Sequence, residues 1–168
     1  MTLDVRRSLA FSEVPVIDIS SAVAGDTDPT IIESMRDACI DVGFFYVSNH
    51  GVPPDVVEQL HSEAARYFAR PMYEKERCVV NDQMRGYLPL FFRSFEGEVD
   101  AGTSHQEGFW IGYEHPPSST RPLDGPNQWP ENAESLRHAM HDYLAATKAL
   151  ALGLIGAFEQ ALNVASGS

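Results

Sequence analysis

Apolar and polar positions follow a helical period in three stretches of this chain. In the first, Ile31, Ile32, Met35, Ala38, Cys39 and Val42 hold one face until Gly43, which reads as a helix stop. Asp28-Pro29 offers an N-cap with proline in the first turn, and Thr30 with Glu33 offers a competing capping box two residues on. Pro53-Pro54-Asp55 opens the second helix, whose face is Val56, Val57, Leu60, Ala64, Tyr67 and Phe68 before Pro71 ends it. The third runs from about Glu134 to Leu162, with Leu136, Met140, Tyr143, Leu144, Thr147, Leu150, Leu154, Phe158 and Leu162 in period. In its second half Leu152 and Ile155 put apolar surface on the opposite side too. That half is expected to need cover on both sides, and one of its partners is expected to lie outside the chain.

Between the helical stretches the pattern shortens. Val14-Pro15-Val16-Ile17-Asp18-Ile19 reads as a short strand with proline near its start. Phe44 to Val47 are four consecutive apolar residues, without polar alternation, and predict a central strand buried on both faces, followed by a turn at Asn49 to Gly51. Tyr73 to Arg77 fits one more helical turn. Arg85-Gly86-Tyr87-Leu88-Pro89 fits a tight bend or short extended piece, and His105 to Gly112 a further strand weakened by its glycines. Pro116 to Pro130 is too long for a simple connection and is expected to cover something or join two parts of a larger fold. The sum is an α/β (α+β) fold of short strands, two mid-sized helices and a long C-terminal helix. A single domain over residues 1–168 is expected, with its core at about 14–163, and Phe44, Tyr46, Leu150, Leu154 and Phe158 are expected to carry that core.

Composition narrows the function classes. Twenty-four acidic residues against 12 basic ones give a net charge of -12, and no Lys/Arg cluster overrides that field locally. Nucleic acid and anionic membrane surfaces are therefore not expected as partners. Cys39 and Cys78 belong to no CxxC pair and form neither a disulfide scaffold nor a zinc site. Reduced cysteines, no apolar run of spanning length and no signal-like stretch in Met1 to Ala10 together predict a cytoplasmic protein.

Candidate chemistry is sparse. His105-Gln106-Glu107 has a His-x-carboxylate spacing that an extended strand would place on one face, with His138 or His141 as a distant third ligand. The two helical histidines read better as lying on or near the solvent-facing side of a packing helix, and a facial triad needs a rigid barrel to hold it, so no metal site is expected. His50, in the Asn49-His50-Gly51 turn, is expected to satisfy backbone groups. Gly43, Gly51 and Gly86 stand alone and make no phosphate loop. Ser48 and Ser104 lack His/Asp company, and Glu96, Glu98 and Asp100 read as a solvated acidic loop. No catalytic residue is expected in this chain.

Five motifs in order carry a resemblance: Val14-Pro15-Val16-Ile17-Asp18, Gly43 to Val52, Arg85-Gly86-Tyr87-Leu88-Pro89, Glu107 to Gly112, and Gly125-Pro126-Asn127-Gln128-Trp129-Pro130. In them the chain resembles the N-terminal domain of the isopenicillin N synthase-like non-haem iron(II), 2-oxoglutarate-dependent dioxygenases. The resemblance implies a longer enzyme in which a jelly-roll barrel follows this domain. There a His-x-Asp pair and a distant His hold iron(II), leaving three positions open, and an Arg-x-Ser pair holds 2-oxoglutarate. It also implies that Glu107 is the glutamate of a Glu-Gly-Phe motif and not an iron ligand. Arg85 and Tyr87 would line the substrate mouth, the arginine forking onto a carboxylate. The expected function is the N-terminal region of such an oxidoreductase, inactive as an isolated chain. Iron(II) and 2-oxoglutarate belong to the full-length enzyme and are not expected on this chain alone. The expected partner is the barrel, in cis or in trans, with the final helix as a surface for self-association. The alternative is a non-catalytic interaction module or pseudoenzyme that docks through that helix.

Overall fold

A computed structural model describes residues 14–26, 28–90, 106–117 and 121–164. The elements run β1 (Val16–Asp18), α1 (Ser20–Val23), α2 (Pro29–Asp41), β2 (Tyr46–Ser48), α3 (Pro54–Phe68), α4 (Met72–Lys75), a 3-10 turn at Glu76–Cys78, β3 (Gly86–Leu88), β4 (Gly108–Trp110) and α5 (Glu134–Ala161). Contacts group them into two compact units: the residues up to Val57 with those from Asp142 onward, and the residues from Glu58 to His141.

The first unit is a β–α–α–β crossover joined by the later part of α5. β1 and β2 pair in parallel, with Val16 opposite Tyr46, Ile17 opposite Val47 and Asp18 opposite Ser48. Asp28 caps α2 by accepting the Thr30 N–H at 2.9 Å, with Pro29 in the first turn, so the Asp-Pro start wins over the Thr30/Glu33 box. Gly43 ends the helix region at φ +95°, its N–H reaching the Ala38 carbonyl at 3.0 Å. The buried core is Ile17, Ile19, Ala22, Met35, Ala38 and Ala157, and Phe45, Val47, Leu150, Leu154 and Phe158 pack against it. Where α5 meets α1, a Cβ on Gly153 would lie 2.8 Å from the Ala22 carbonyl oxygen, so glycine permits the close approach.

One expectation fails here. Phe44 and Tyr46 are 53% and 51% exposed and are not core. Among the described residues the sheet has two strands, and helices cover one of its faces. Strand periodicity then divides the apolar run, sending Phe45 and Val47 inward and Phe44 and Tyr46 outward beside Val16. β2 is thus an edge strand of this unit. Leu150, Leu154 and Phe158 do join the core, while Leu152 and Ile155 face outward at 59% and 54% exposed.

The second unit is built on rings. Tyr67, Cys78, Tyr87, Ala133 and Leu136 are buried together, with Phe68, Phe109 and Met140 against them. The Tyr67 ring meets Phe68, Tyr87 and Phe109 edge-on at centroid distances of 5.3, 6.2 and 5.2 Å. β3 and β4 pair antiparallel, Tyr87 opposite Phe109. Gly86 sits at φ +117°, and a Cβ there would collide with the Cys78 carbonyl oxygen.

Candidate functional site

The polar groups of the second unit converge on β3 and β4. α4 places Lys75 on the inside, 5% exposed, where its Nζ donates to the Phe68 carbonyl at 3.1 Å and to Glu107 Oε2 at 2.6 Å. The same carboxylate oxygen accepts the Tyr87 hydroxyl at 2.6 Å, and the Met72 sulfur lies 3.4 Å from that hydroxyl. Burial raises the Tyr87 phenol above its ordinary value, and the neighbouring Glu107 carboxylate raises it further. Burial also pulls Glu107 upward, but the hydrogen bonds from Lys75 and Tyr87 outweigh it and leave the carboxyl below its usual range. The trio is a brace of opposite charges in which the Tyr87 phenol and the Glu107 carboxyl are both shifted away from neutral pH.

Arg85 is 9% exposed. Its Nη1 donates to the carbonyls of Gln83 (2.8 Å) and Met84 (3.4 Å), and its Nη2 to that of Leu123 (2.9 Å). Its Nε is buried without an acceptor among the described residues. The guanidinium lies where a Cβ on Gly112 would stand. Tyr87 is fully buried at 0% exposure, so the two expected substrate-mouth residues point into separate networks of the same unit.

The 125–130 motif explains itself structurally. Asn127 exchanges a pair of 2.9 Å bonds with the Gly112 backbone, its Oδ1 accepting and its Nδ2 donating. Gln128 Nε2 donates to the carbonyls of Val79 (2.9 Å) and Arg85 (2.6 Å). Side-chain amides here close backbone groups as a neighbouring strand would. Glu114 accepts the Asn127 N–H at 3.0 Å and the Trp129 Nε1–H at 3.4 Å. Trp129 in turn stacks on Phe109 at 5.9 Å and meets the His141 ring at 5.5 Å.

The metal candidates among the described residues are not brought together. His105 and Ser104 lie outside the described residues, as does the acidic loop of Glu96, Glu98 and Asp100. Glu107 is bonded to Lys75 and Tyr87, His138 Nδ1 lies 3.1 Å from the Glu134 carbonyl of its own helix, and His141 Nε2 is 4.0 Å from Glu114. Among the described residues no group of three or more His, Cys, Asp or Glu is arranged to hold a metal ion. In the first unit, His50 accepts the Val52 N–H on Nδ1 at 3.1 Å, the backbone role its turn suggested. A shallow hollow of about 480 Å³ in the second unit is lined by Arg70, Tyr73, Arg77 and Glu131. Both of its arginines are already engaged, Arg70 on the carbonyls of Glu131 and Asn132 and Arg77 on the Glu131 carboxylate. Lys75 is the structural residue for which the sequence suggests no role, and Asn127 and Gln128 stand in a quoted motif whose structural role the sequence does not reveal. The Lys75–Glu107 pair is separated by 32 residues, and no local pattern announces it.

The profile of the family described as "non-haem dioxygenase in morphine synthesis N-terminal" matches residues 14–132. The chain belongs to this family. The domain is 32% identical over 143 residues to the 2-oxoglutarate-dependent dioxygenase thnC of Trichoderma harzianum, covering 82% of this chain and 44% of that protein. It is 28% identical over 153 residues to a homoarginine-6-hydroxylase of Arabidopsis thaliana, covering 80% of this chain and 44% of that one. A full-length Neurospora crassa protein solved in complex with alpha-KG shares the fold, with a TM-score of 0.68 at 22% identity over 90% of this chain and 44% of its own. This dioxygenase N-terminal domain therefore spans less than half the length of these relatives. Among its described residues no helix is long and apolar enough to cross a membrane.

Proposed function

We propose that this chain is the N-terminal region of an iron(II)/2-oxoglutarate-dependent dioxygenase, an oxidoreductase that hydroxylates or desaturates a small organic substrate, and that it is inactive as an isolated chain. The observation that carries the reading is the family match over residues 14–132 in a chain that covers 44% of thnC. The donor set of the described residues does not fit an iron centre, so the metal and 2-oxoglutarate would be held by the remainder of a longer enzyme. The role of this domain is support. The remainder, in cis or in trans, would cover the outward apolar residues of the first unit, Val16, Phe44 and Tyr46 on the sheet and Leu152 and Ile155 on α5. The substrate contact expected of Arg85 and Tyr87 is part of the proposal for that longer enzyme, with Arg85 Nε the guanidinium donor that lacks an acceptor among the described residues.

The outward face of α5 favours one other reading, a non-catalytic module that docks or self-associates through this helix. Succinate release from 2-oxoglutarate, measured on the purified chain with iron(II) and ascorbate, is expected at the protein-free background. Sustained turnover would overturn the support reading. An antibody raised to the chain is expected to detect a species of about twice its mass in the source cell. A species of 18.6 kDa alone would move the docking module ahead.

A further inference from the structure

The later part of α5 carries a second stripe besides the one it gives to the core. Ala145, Lys148, Leu152, Ile155, Glu159 and Leu162 follow one another in alternating steps of three and four, the spacing at which a helix keeps one seam toward a neighbouring helix. All six belong to the first unit, on the side turned away from Leu150, Leu154, Ala157 and Phe158. Leu152, Ile155 and Leu162 are exposed, as are Ala145 and Lys148, and Glu159 is partly so. Large aliphatic residues in line over about three turns form a patch, unlike single apolar residues scattered on a surface.

Charge narrows what can cover that patch. Two copies of a chain with net charge -12 repel each other, so a second copy is admitted only where opposite charges are placed to meet. The stripe has that property toward itself, because its spacing is the same read in either direction from the point halfway between Leu152 and Ile155. An antiparallel copy centred there sets Leu152 against the partner's Ile155, Lys148 against the partner's Glu159 and Ala145 against the partner's Leu162, each twice by symmetry. A parallel copy would set lysine on lysine and glutamate on glutamate. Lys148 and Glu159 also interact within their own chain, so the register asks of them opposite sign at matched positions and not a vacant bond. On the flanks Ala151 falls opposite the partner's Gly156, where an added Cβ would meet nothing within 4 Å, and small residues there let two helices approach closely.

We propose that α5 pairs antiparallel with the α5 of a second copy of this chain along Ala145 to Leu162, with Lys148 against the partner's Glu159. The inference rests on the self-association reading of this helix and gives it a partner, a direction and a register. It concerns the chain on its own. A remainder seated on α5 in a longer enzyme would take the place of the copy.

Sedimentation equilibrium of the whole chain between about 1 and 500 µM, at about 0.15 M salt, tests it. The mass is expected to rise toward that of two chains. Lys148→Glu and Glu159→Lys are each expected to weaken the dimer about tenfold, because each turns two attractions into two repulsions. An equal mixture of the two variants is expected to recover the wild-type constant, as is the double variant, while Ile155→Gln is expected to abolish the dimer. Far-UV circular dichroism of each variant should match the wild type, since the substituted positions lie outside the buried core. A dimer that Ile155→Gln abolishes but neither charge reversal alters would overturn the register and leave self-association through the helix standing. A dimer that survives Ile155→Gln, or the mass of one chain at every concentration, would overturn the pairing together with that reading.

Discussion

The two units of this domain keep order in different ways. The first closes a core of aliphatic and small residues, Ile17, Ile19, Ala22, Met35, Ala38 and Ala157, and its sheet residues Val16, Phe44 and Tyr46 face outward. The second packs aromatic rings on one another, buries a lysine and an arginine, and fixes its backbone by named side chains, Lys75, Arg85, Asn127 and Gln128. Nonspecific burial tolerates exchange among residues of similar volume, whereas a side chain bonded to one particular carbonyl does not. The second unit should therefore be the more brittle, and the glycines give the sharpest test. Gly86→Ala puts a methyl group into the Cys78 carbonyl at φ +117°, and we expect it to cost more than about 4 kcal/mol. Gly43→Ala, in the first unit at φ +95°, meets nothing within 4 Å and should cost only about 1 to 2 kcal/mol of backbone strain. Urea unfolding of both variants checks the pair, and equal losses would erase the distinction.

The next effect in size belongs to the brace. Glu107→Gln leaves the Lys75 ammonium buried against a neutral amide and turns the charged acceptor shared by Lys75 and the Tyr87 hydroxyl into a weaker neutral one, and is expected to cost about 3 kcal/mol at pH 7. The pH dependence has a definite sign. The folded carboxyl lies below its ordinary value, so its contribution is fully present above the usual carboxylate range and is lost as pH falls through the folded value. The wild type should lose this increment on acidification and Glu107→Gln should not, so the two stability curves converge at low pH. The chain's two tryptophans, Trp110 and Trp129, both lie in the second unit, and their fluorescence follows this unfolding directly. Curves that remain parallel down to acid pH would show that the carboxylate contributes nothing special.

How much of this was legible in the sequence follows the same division. Helical periodicity places α2, α3 and α5 within a residue or two of where they lie, because a helix repeats its signal over several turns. The five motifs gave the family and the position of the bends. The Phe44 to Val47 run misled, since four apolar residues in a row say that both faces of a strand seek cover but not that one chain supplies both covers. The brace was invisible because Lys75 and Glu107 are 32 residues apart, and the role of Arg85 was obscured by the many things a lone arginine beside glycine can do. A motif such as 125–130 records that residues are needed. Only the hydrogen bonds of Asn127 and Gln128 show that the need is to satisfy backbone.

The smallest expected effect bears most on the outward face of the first unit. Phe44→Ser and Tyr46→Ser remove apolar groups that are already half in water, so each should change the stability of this chain by no more than about 0.5 kcal/mol. Phe45→Ala is the internal control, because its ring packs 6.3 Å from Phe158 and its loss should cost about 3 kcal/mol. A parallel sheet left open on one apolar face is unusual in a finished protein, which is why covering residues are proposed in a longer enzyme. If the outward substitutions are silent in this chain but destabilise a chain of the relatives' full length, that face is an interface with the remainder. If they are as costly here as Phe45→Ala, and the cost falls on dilution, the face is already covered by a second copy of the same chain. Chemical denaturation at two protein concentrations separates these outcomes, because only the second makes the cost of the substitutions depend on concentration.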